Sequence, residues 1–116
     1  MSSHCVFCMI VSGEIPSAKI YEDDEILAFD DIAPQSPVHA LVIPKRHFSN
    51  LSDDVPSDVV CKLFESVARV AKLKGVDKAG YRVIVNNGND ANQTVAHLHA
   101  HVMGGRRMSH GMVTFD

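Results

Sequence analysis

Three histidines at strict two-residue spacing, His97, His99 and His101, stand in the stretch Thr94–Gly105 with Leu98, Ala100 and Val102 between and after them. Alternation of this kind is the pattern of a β-strand, whose successive side chains face opposite ways, so the spacing predicts three imidazoles on one face and an apolar face behind them. Three of the seven histidines of the chain fall in five residues, which makes this row the place to look for chemistry. A neutral imidazole, with an ordinary pKa of about 6.5, is a good nucleophile near neutral pH, and neighbouring imidazoles discourage one another from charging. The polar loop just before the row offers an anion the backbone N–H groups of residues 89–94, Gln93 and the Thr94 hydroxyl, while a backbone carbonyl or a side chain such as Asn86 would fix one ring nitrogen as a donor. Together these favour nucleophilic attack on a phosphoryl group. A three-histidine metal site is the competing reading. It is limited by geometry, because the outer pair of such a row sits about 13 Å apart at the usual strand rise, so one or two histidines could ligate but not all three.

A second cluster of reactive side chains lies at the start of the chain, where Cys5 and Cys8 form a Cys-x-x-Cys pair. Three cysteines, an odd number, suit a metal or redox role in a reduced compartment better than a disulfide framework. Cys61 falls within an apolar helical pattern and is expected to be a small core residue. The formal net charge of −3 argues against a general electrostatic nucleic-acid binder. No apolar run approaches the length of a membrane span, and the first residues do not read as a signal peptide, so the expected location is cytoplasmic. A chain of 116 residues is expected to form one domain, residues 1–116, around a single core.

The elements that must carry these groups follow from local pattern. Residues 5–14 read as a short helix, ended by Gly13 and Pro16 and expected to act as a lid or flank. Residues 19–22 and 25–30 read as two strands turning at Asp23-Asp24. Two prolines in residues 31–37 hold that loop extended. The almost wholly apolar run Val38–Ile43 reads as a central strand covered on both faces, and it carries His39. Lys45, Arg46 and His47 form a polar turn. From Ser57 to Lys74, Val60, Leu63, Phe64, Val67, Ala68 and Ala71 recur at three- and four-residue steps, predicting an amphipathic helix with Ser57 as N-cap and Gly75 as its stop. Residues 81–86 form another strand. The class predicted is α+β, with an antiparallel sheet and few enough helices to sit on one face.

His97-Leu98-His99-Ala100-His101-Val102-Met103 fits the signature His-φ-His-φ-His-φ-φ, with φ apolar, at every position. Phe7-Cys8-Met9-Ile10, Gly13-Glu14-Ile15-Pro16, Phe29-Asp30-Asp31-Ile32-Ala33-Pro34-Gln35, Pro37-Val38-His39, Val42-Ile43-Pro44-Lys45 and Val85-Asn86-Asn87-Gly88 follow the same order of short motifs. On these residues the chain resembles the histidine triad (HIT) superfamily, and within it the Hint branch of nucleoside phosphoramidases.

The resemblance implies a five-stranded antiparallel sheet with one long helix and a short N-terminal helix, extended into one continuous sheet in a homodimer. It implies a purine nucleotide hydrolase that cleaves at the α-phosphate of an AMP–amine conjugate. His99 would be the nucleophile, forming a nucleotidyl-histidine, with His101 and His39 hydrogen-bonding phosphate or leaving group. Asn86 would orient and bind, Gln93 and Thr94 would contact the phosphate, and Asp31 would hold the ribose hydroxyls. Ile32, Phe7, Ile10 and Phe29 would form the base pocket. The resemblance also implies a structural zinc on Cys5, Cys8, His47 and His97, with no organic cofactor. Asn92 stands where the family usually places glycine, which is expected to stiffen the phosphate loop. Dinucleoside polyphosphate hydrolysis and a nucleotide-binding module with negligible turnover are the alternatives.

Overall fold

The computed structural model describes residues 5–109. Helix α1 (Val6–Ser12) is followed by β1 (Lys19–Glu22), β2 (Ile26–Asp30), β3 (Val38–Pro44), α2 (Ser57–Leu73), β4 (Tyr81–Ile84) and β5 (Ala100–Gly104). The strands make one antiparallel five-stranded sheet in the order β1-β2-β3-β5-β4. The α+β class and the five-stranded antiparallel sheet with two helices are as expected. No helix among the described residues is long and apolar enough to cross a membrane.

β3 is the middle strand, and its apolar residues are buried on both faces because alternate side chains enter two different clusters. Ala40 and Val42 join Ile26, Ala28, Ala100 and Val102 beneath Leu63, Val67, Val70 and Ala71 of α2. Leu41 and Ile43 face the other way, onto Leu27, Phe29 and the α1 residues Phe7 and Ile10. The two helices therefore lie on opposite faces of the sheet. The expectation that they share a face is corrected, and so is the reading of α1 as a lid: Phe7 and Ile10 are core residues that a free flank would leave in water.

Local chemistry explains the element ends. Cys5 is the N-cap of α1, its Sγ accepting from the Cys8 N–H at 3.3 Å, and Gly13 closes the helix in the left-handed region at φ 86°. Asp23 shapes the first hairpin: Oδ1 accepts from the N–H groups of Glu25 and Ile26, each at 2.8 Å, and the Tyr21 hydroxyl donates to Oδ2. α2 starts one residue earlier than its expected cap. Pro56 is the N-cap and its carbonyl accepts from Val59 and Val60, so Ser57 is already helical and makes no capping bond. At the far end Gly75 donates to Lys72 and Val76 to Ala71, a Schellman pair that the left-handed Gly75 permits and that buries Val76.

The apolar stripe of α2 is not all core. Phe64 is 43% exposed, Val60 is half-buried and Ala68 is exposed, while the helix rotates Ser66 and Val70 inward instead. Cys61 lies on the same outer side and is exposed, which corrects its assignment to the core.

The histidine strand is shorter than its sequence pattern. β5 begins at Ala100 because the Leu98 N–H bonds the Phe48 carbonyl at 2.7 Å and the His97 N–H turns back onto Val95 O at 2.9 Å. β4 likewise ends at Ile84, leaving Asn86 beyond the ladder. Gly105 ends β5 at φ 92°, where an added Cβ would meet Pro37 Cβ at 2.9 Å.

Candidate active site and metal centre

Backbone atoms decide which ring nitrogen of each histidine carries a proton. A carbonyl only accepts, so the contact of His99 Nδ1 with His97 O at 2.7 Å places the proton on Nδ1 and leaves Nε2 as a lone pair. His97 Nε2 donates to Pro44 O at 2.8 Å, which leaves its Nδ1 as a lone pair. The Gln35 N–H donates to His39 Nδ1 at 3.1 Å, so His39 carries its proton on Nε2 and donates it to His101 Nδ1 at 2.9 Å. His101 is then a donor at Nε2. Equal spacing in the sequence thus gives three distinct tautomeric roles.

The surroundings keep the row neutral. Burial pushes His97 down to about 4, reinforced by His47 and His99 and opposed by its bond to Pro44. His99 is lowered by burial against the opposing pull of the His97 carbonyl and Asp31. Burial, with His99 and His39, takes His101 down to about 4 although Asp31 opposes it.

Phe7 organises this face. Its ring meets His99 edge-on at 5.2 Å, His97 at 5.9 Å and Phe29 at 5.6 Å between centroids.

A cavity of about 340 Å³ opens beside His99 and His101. Phe7, Ile10, Phe29, Asp31, Ile32 and Thr94 all line it, so the structure brings together the residues expected for base, ribose and phosphate. Ile32 stands fully exposed at its mouth. Ile15, Leu41 and Val95 also line it; Leu41 is the one the sequence could have revealed, since it shares a face with His39 at period two. Asp31 Oδ1 accepts from the Ala33 N–H at 2.8 Å, while Oδ2 sits 3.4 Å from His39 Nε2. Asn86 lines a smaller adjoining cavity of about 140 Å³ with His39 and His101.

Gln93 does something else. Its Nε2 donates to Ser49 O at 2.8 Å and to Val95 O at 2.9 Å, and its Oε1 accepts from the Gly88 N–H at 2.9 Å. The amide braces the loop from within and is not among the cavity's lining residues, which departs from its expected contact with phosphate. Asn92 takes the left-handed conformation, φ 57° and ψ 44°, that glycine reaches freely and asparagine tolerates. Lys45 pairs with Glu22 at 2.7 Å and Arg46 lies over Phe48, so neither points a free charge at the site.

Cys5, Cys8, His47 and His97 come together at the N-terminus of α1, their four donor atoms all within 4.8 Å of one another. His97 Nδ1 lies 3.3 Å from Cys5 Sγ, 3.6 Å from Cys8 Sγ and 3.2 Å from His47 Nδ1, and Cys8 Sγ lies 3.2 Å from His47 Nδ1. A tetrahedral zinc bound by two thiolates and two imidazoles requires about 3.3 Å between nitrogens and about 3.5 Å between nitrogen and sulfur. The set fits zinc in donor type and in spacing, and the Pro44 carbonyl orients His97 from behind as a ligand's outer hydrogen bond should. Such an ion would fasten α1 to the turn after β3 and to the lead into β5.

The family model for the HIT domain matches residues 12–108. The 14 kDa zinc-binding protein of Brassica juncea is 43% identical over 108 residues, covering 90% of this chain and 95% of that protein. A histidine triad protein from Clostridium difficile superposes with a TM-score of 0.90 at 45% identity, covering 94% of this chain and 96% of that one. A HIT family hydrolase from Clostridium thermocellum gives 0.92 at 39% identity, covering 97% and 100%. A family model spanning most of the chain, and relatives that share both its fold and its length, establish that this chain belongs to the HIT family.

Proposed function

We propose that this chain is a purine nucleotide hydrolase of the adenosine 5′-phosphoramidase type. The observation that carries this reading is the lone pair of His99 Nε2, on a histidine that burial keeps neutral and that lines a mostly apolar cavity together with Asp31. Phe7, Ile10, Phe29 and Ile32 suit the faces of a purine, and Asp31 suits the ribose hydroxyls.

In this reading His99 Nε2 attacks the α-phosphorus, a P–Nε2 bond forms and the P–N bond to the amine breaks. The leaving nitrogen takes a proton from water, while the neutral His101 Nε2–H, supported by His39 from behind at Nδ1, hydrogen-bonds the departing group. Water then attacks the nucleotidyl-histidine, the P–Nε2 bond breaks, and the proton released neutralises the hydroxide left by the first step. AMP and free amine are the products. Thr94 and Asn86 border the path of the phosphate. The zinc proposed on Cys5, Cys8, His47 and His97 contributes structure, not chemistry. The Clostridium thermocellum and Brassica juncea relatives, one named a hydrolase and the other zinc-binding, support the two parts of this reading.

The test is to incubate the protein with an AMP–amine conjugate, quench in base and map adenylate by mass spectrometry. Adenylate on His99, absent from His99→Ala, is the expected result. A nucleotide-binding module without turnover would bind AMP and form no adduct.

A further inference from the structure

Three of the five arginines of this net-acidic chain, Arg82, Arg106 and Arg107, gather where β4 and the segment after β5 meet. No acidic residue lines the cavities they border, and none of the three forms an ion pair among the described residues. Most other cations are engaged: Lys19 and Lys45 with Glu22, Lys62 with Asp23, Lys74 with Asp30, Arg46 over Phe48 and Arg69 over Tyr21. Like charges collected without a counter-ion repel one another, and a bound anion relieves that cost.

The cluster lies on the catalytic side of the sheet. His39 pairs with Met103 and Met103 with Arg82, so the three form one cross-strand row on one face. His101 occupies the next row of β5, which makes Arg82 its diagonal neighbour at about 7–8 Å. The cavities run on in the same direction. The nucleotide cavity meets the smaller one at His101, the smaller one meets a cavity of about 200 Å³ at Gln35 and Met103, and that last cavity is lined by Arg82, Arg106 and Met108. Arg82 Nη2 donates to Ser109 O at 2.9 Å, holding down the segment that carries Arg106, and among the described residues this is its one hydrogen bond.

We propose that Arg82 and Arg106 form a subsite for an anionic group, a carboxylate or a phosphate, on the leaving group. This rests on the reading of His99 as the nucleophile, with the nucleoside in the apolar cavity. The leaving group must then depart on the far side of His101 and His39, along the groove that ends at the arginines. Arg106 is exposed, so its contribution is that of a solvent-screened ion pair, about fivefold in rate, and it weakens with salt.

The test compares kcat/KM for AMP joined through nitrogen to β-alanine, for the same conjugate of β-alanine amide, and for diadenosine triphosphate, in wild type, Arg106→Ala and Arg106→Glu. Wild type is expected to favour the β-alanine conjugate over its amide about fivefold at low salt. The ratio should fall to near one in Arg106→Ala and below one in Arg106→Glu. A greater and equally arginine-dependent preference for diadenosine triphosphate assigns the subsite to phosphate. Equal rates on both conjugates and on diadenosine triphosphate in wild type, or preferences that neither substitution moves, overturn the subsite while leaving the phosphoramidase reading intact. Failure of wild type to cleave any of the three substrates defeats that reading and the subsite with it.

Discussion

His99 donates its Nδ1 proton to the carbonyl oxygen of His97 at 2.7 Å, so the residue whose side chain completes the metal cluster also orients the proposed nucleophile through its backbone. The proposed metal site and the proposed chemistry would thereby be joined at one residue. Cys8→Ser removes a buried donor of that cluster and is expected to destabilise the fold by about 3 kcal/mol. The rate should fall together with zinc content and rise again in wild type when zinc is restored after chelation. Elemental analysis beside thermal melts and turnover checks this; full activity in metal-free protein would separate the two sites.

The acid limb of kcat/KM should lie below the ordinary histidine value of 6.5. The reaction needs His99 and His101 neutral, and burial lowers both, His101 to about 4. Falling pH therefore removes the active form only after it has passed below 6.5. Asp31 opposes both shifts, so Asp31→Asn should carry the limb to still lower pH while reducing overall affinity. Rate profiles between pH 4 and 8 give the answer; a limb above 6.5 would contradict it.

Much of this site is legible in residue pattern because it depends on short periods. The strand of Val38–Ile43, the histidine spacing and the Cys-x-x-Cys pair are local signals, and the sheet and long helix follow from alternation and three- and four-residue steps. What stays hidden depends on contacts distant in the chain. Nothing near Leu98 announces that its N–H bonds Phe48 and delays β5 to Ala100. Helical period likewise cannot say that α1 packs opposite α2, or which side of α2 meets the sheet, since Phe64 and Val67 look equally apolar and only one is buried.

Gln93 is the case where residue type suggested an anion ligand and the structure shows a brace. Each neutral hydrogen bond contributes about 1 kcal/mol net, and Gln93→Ala deletes three, so the cost should be about 2 to 3 kcal/mol. Urea denaturation measures it. A phosphate ligand would instead raise KM with stability unchanged, and that pattern would restore the first reading.

β4 has β5 on one side and no strand on the other among the described residues, and Tyr81 on that strand is 38% exposed. On α2, Phe64 is 43% exposed, whereas Leu73, nine residues further on, faces the opposite side of the helix. An unpaired edge beside exposed large side chains is what a second sheet can cover, and we propose that two copies join there to make the sheet continuous. Sedimentation velocity should then return twice the 12.7 kDa of one chain. Phe64→Glu places a charge on the exposed side of α2 without touching the core, so it should shift the protein toward monomer with its melting temperature at high dilution unchanged. A wild-type monomer at micromolar concentration would refute the pairing, and the catalytic face, which lies on the sheet side opposite α2, would stand without it.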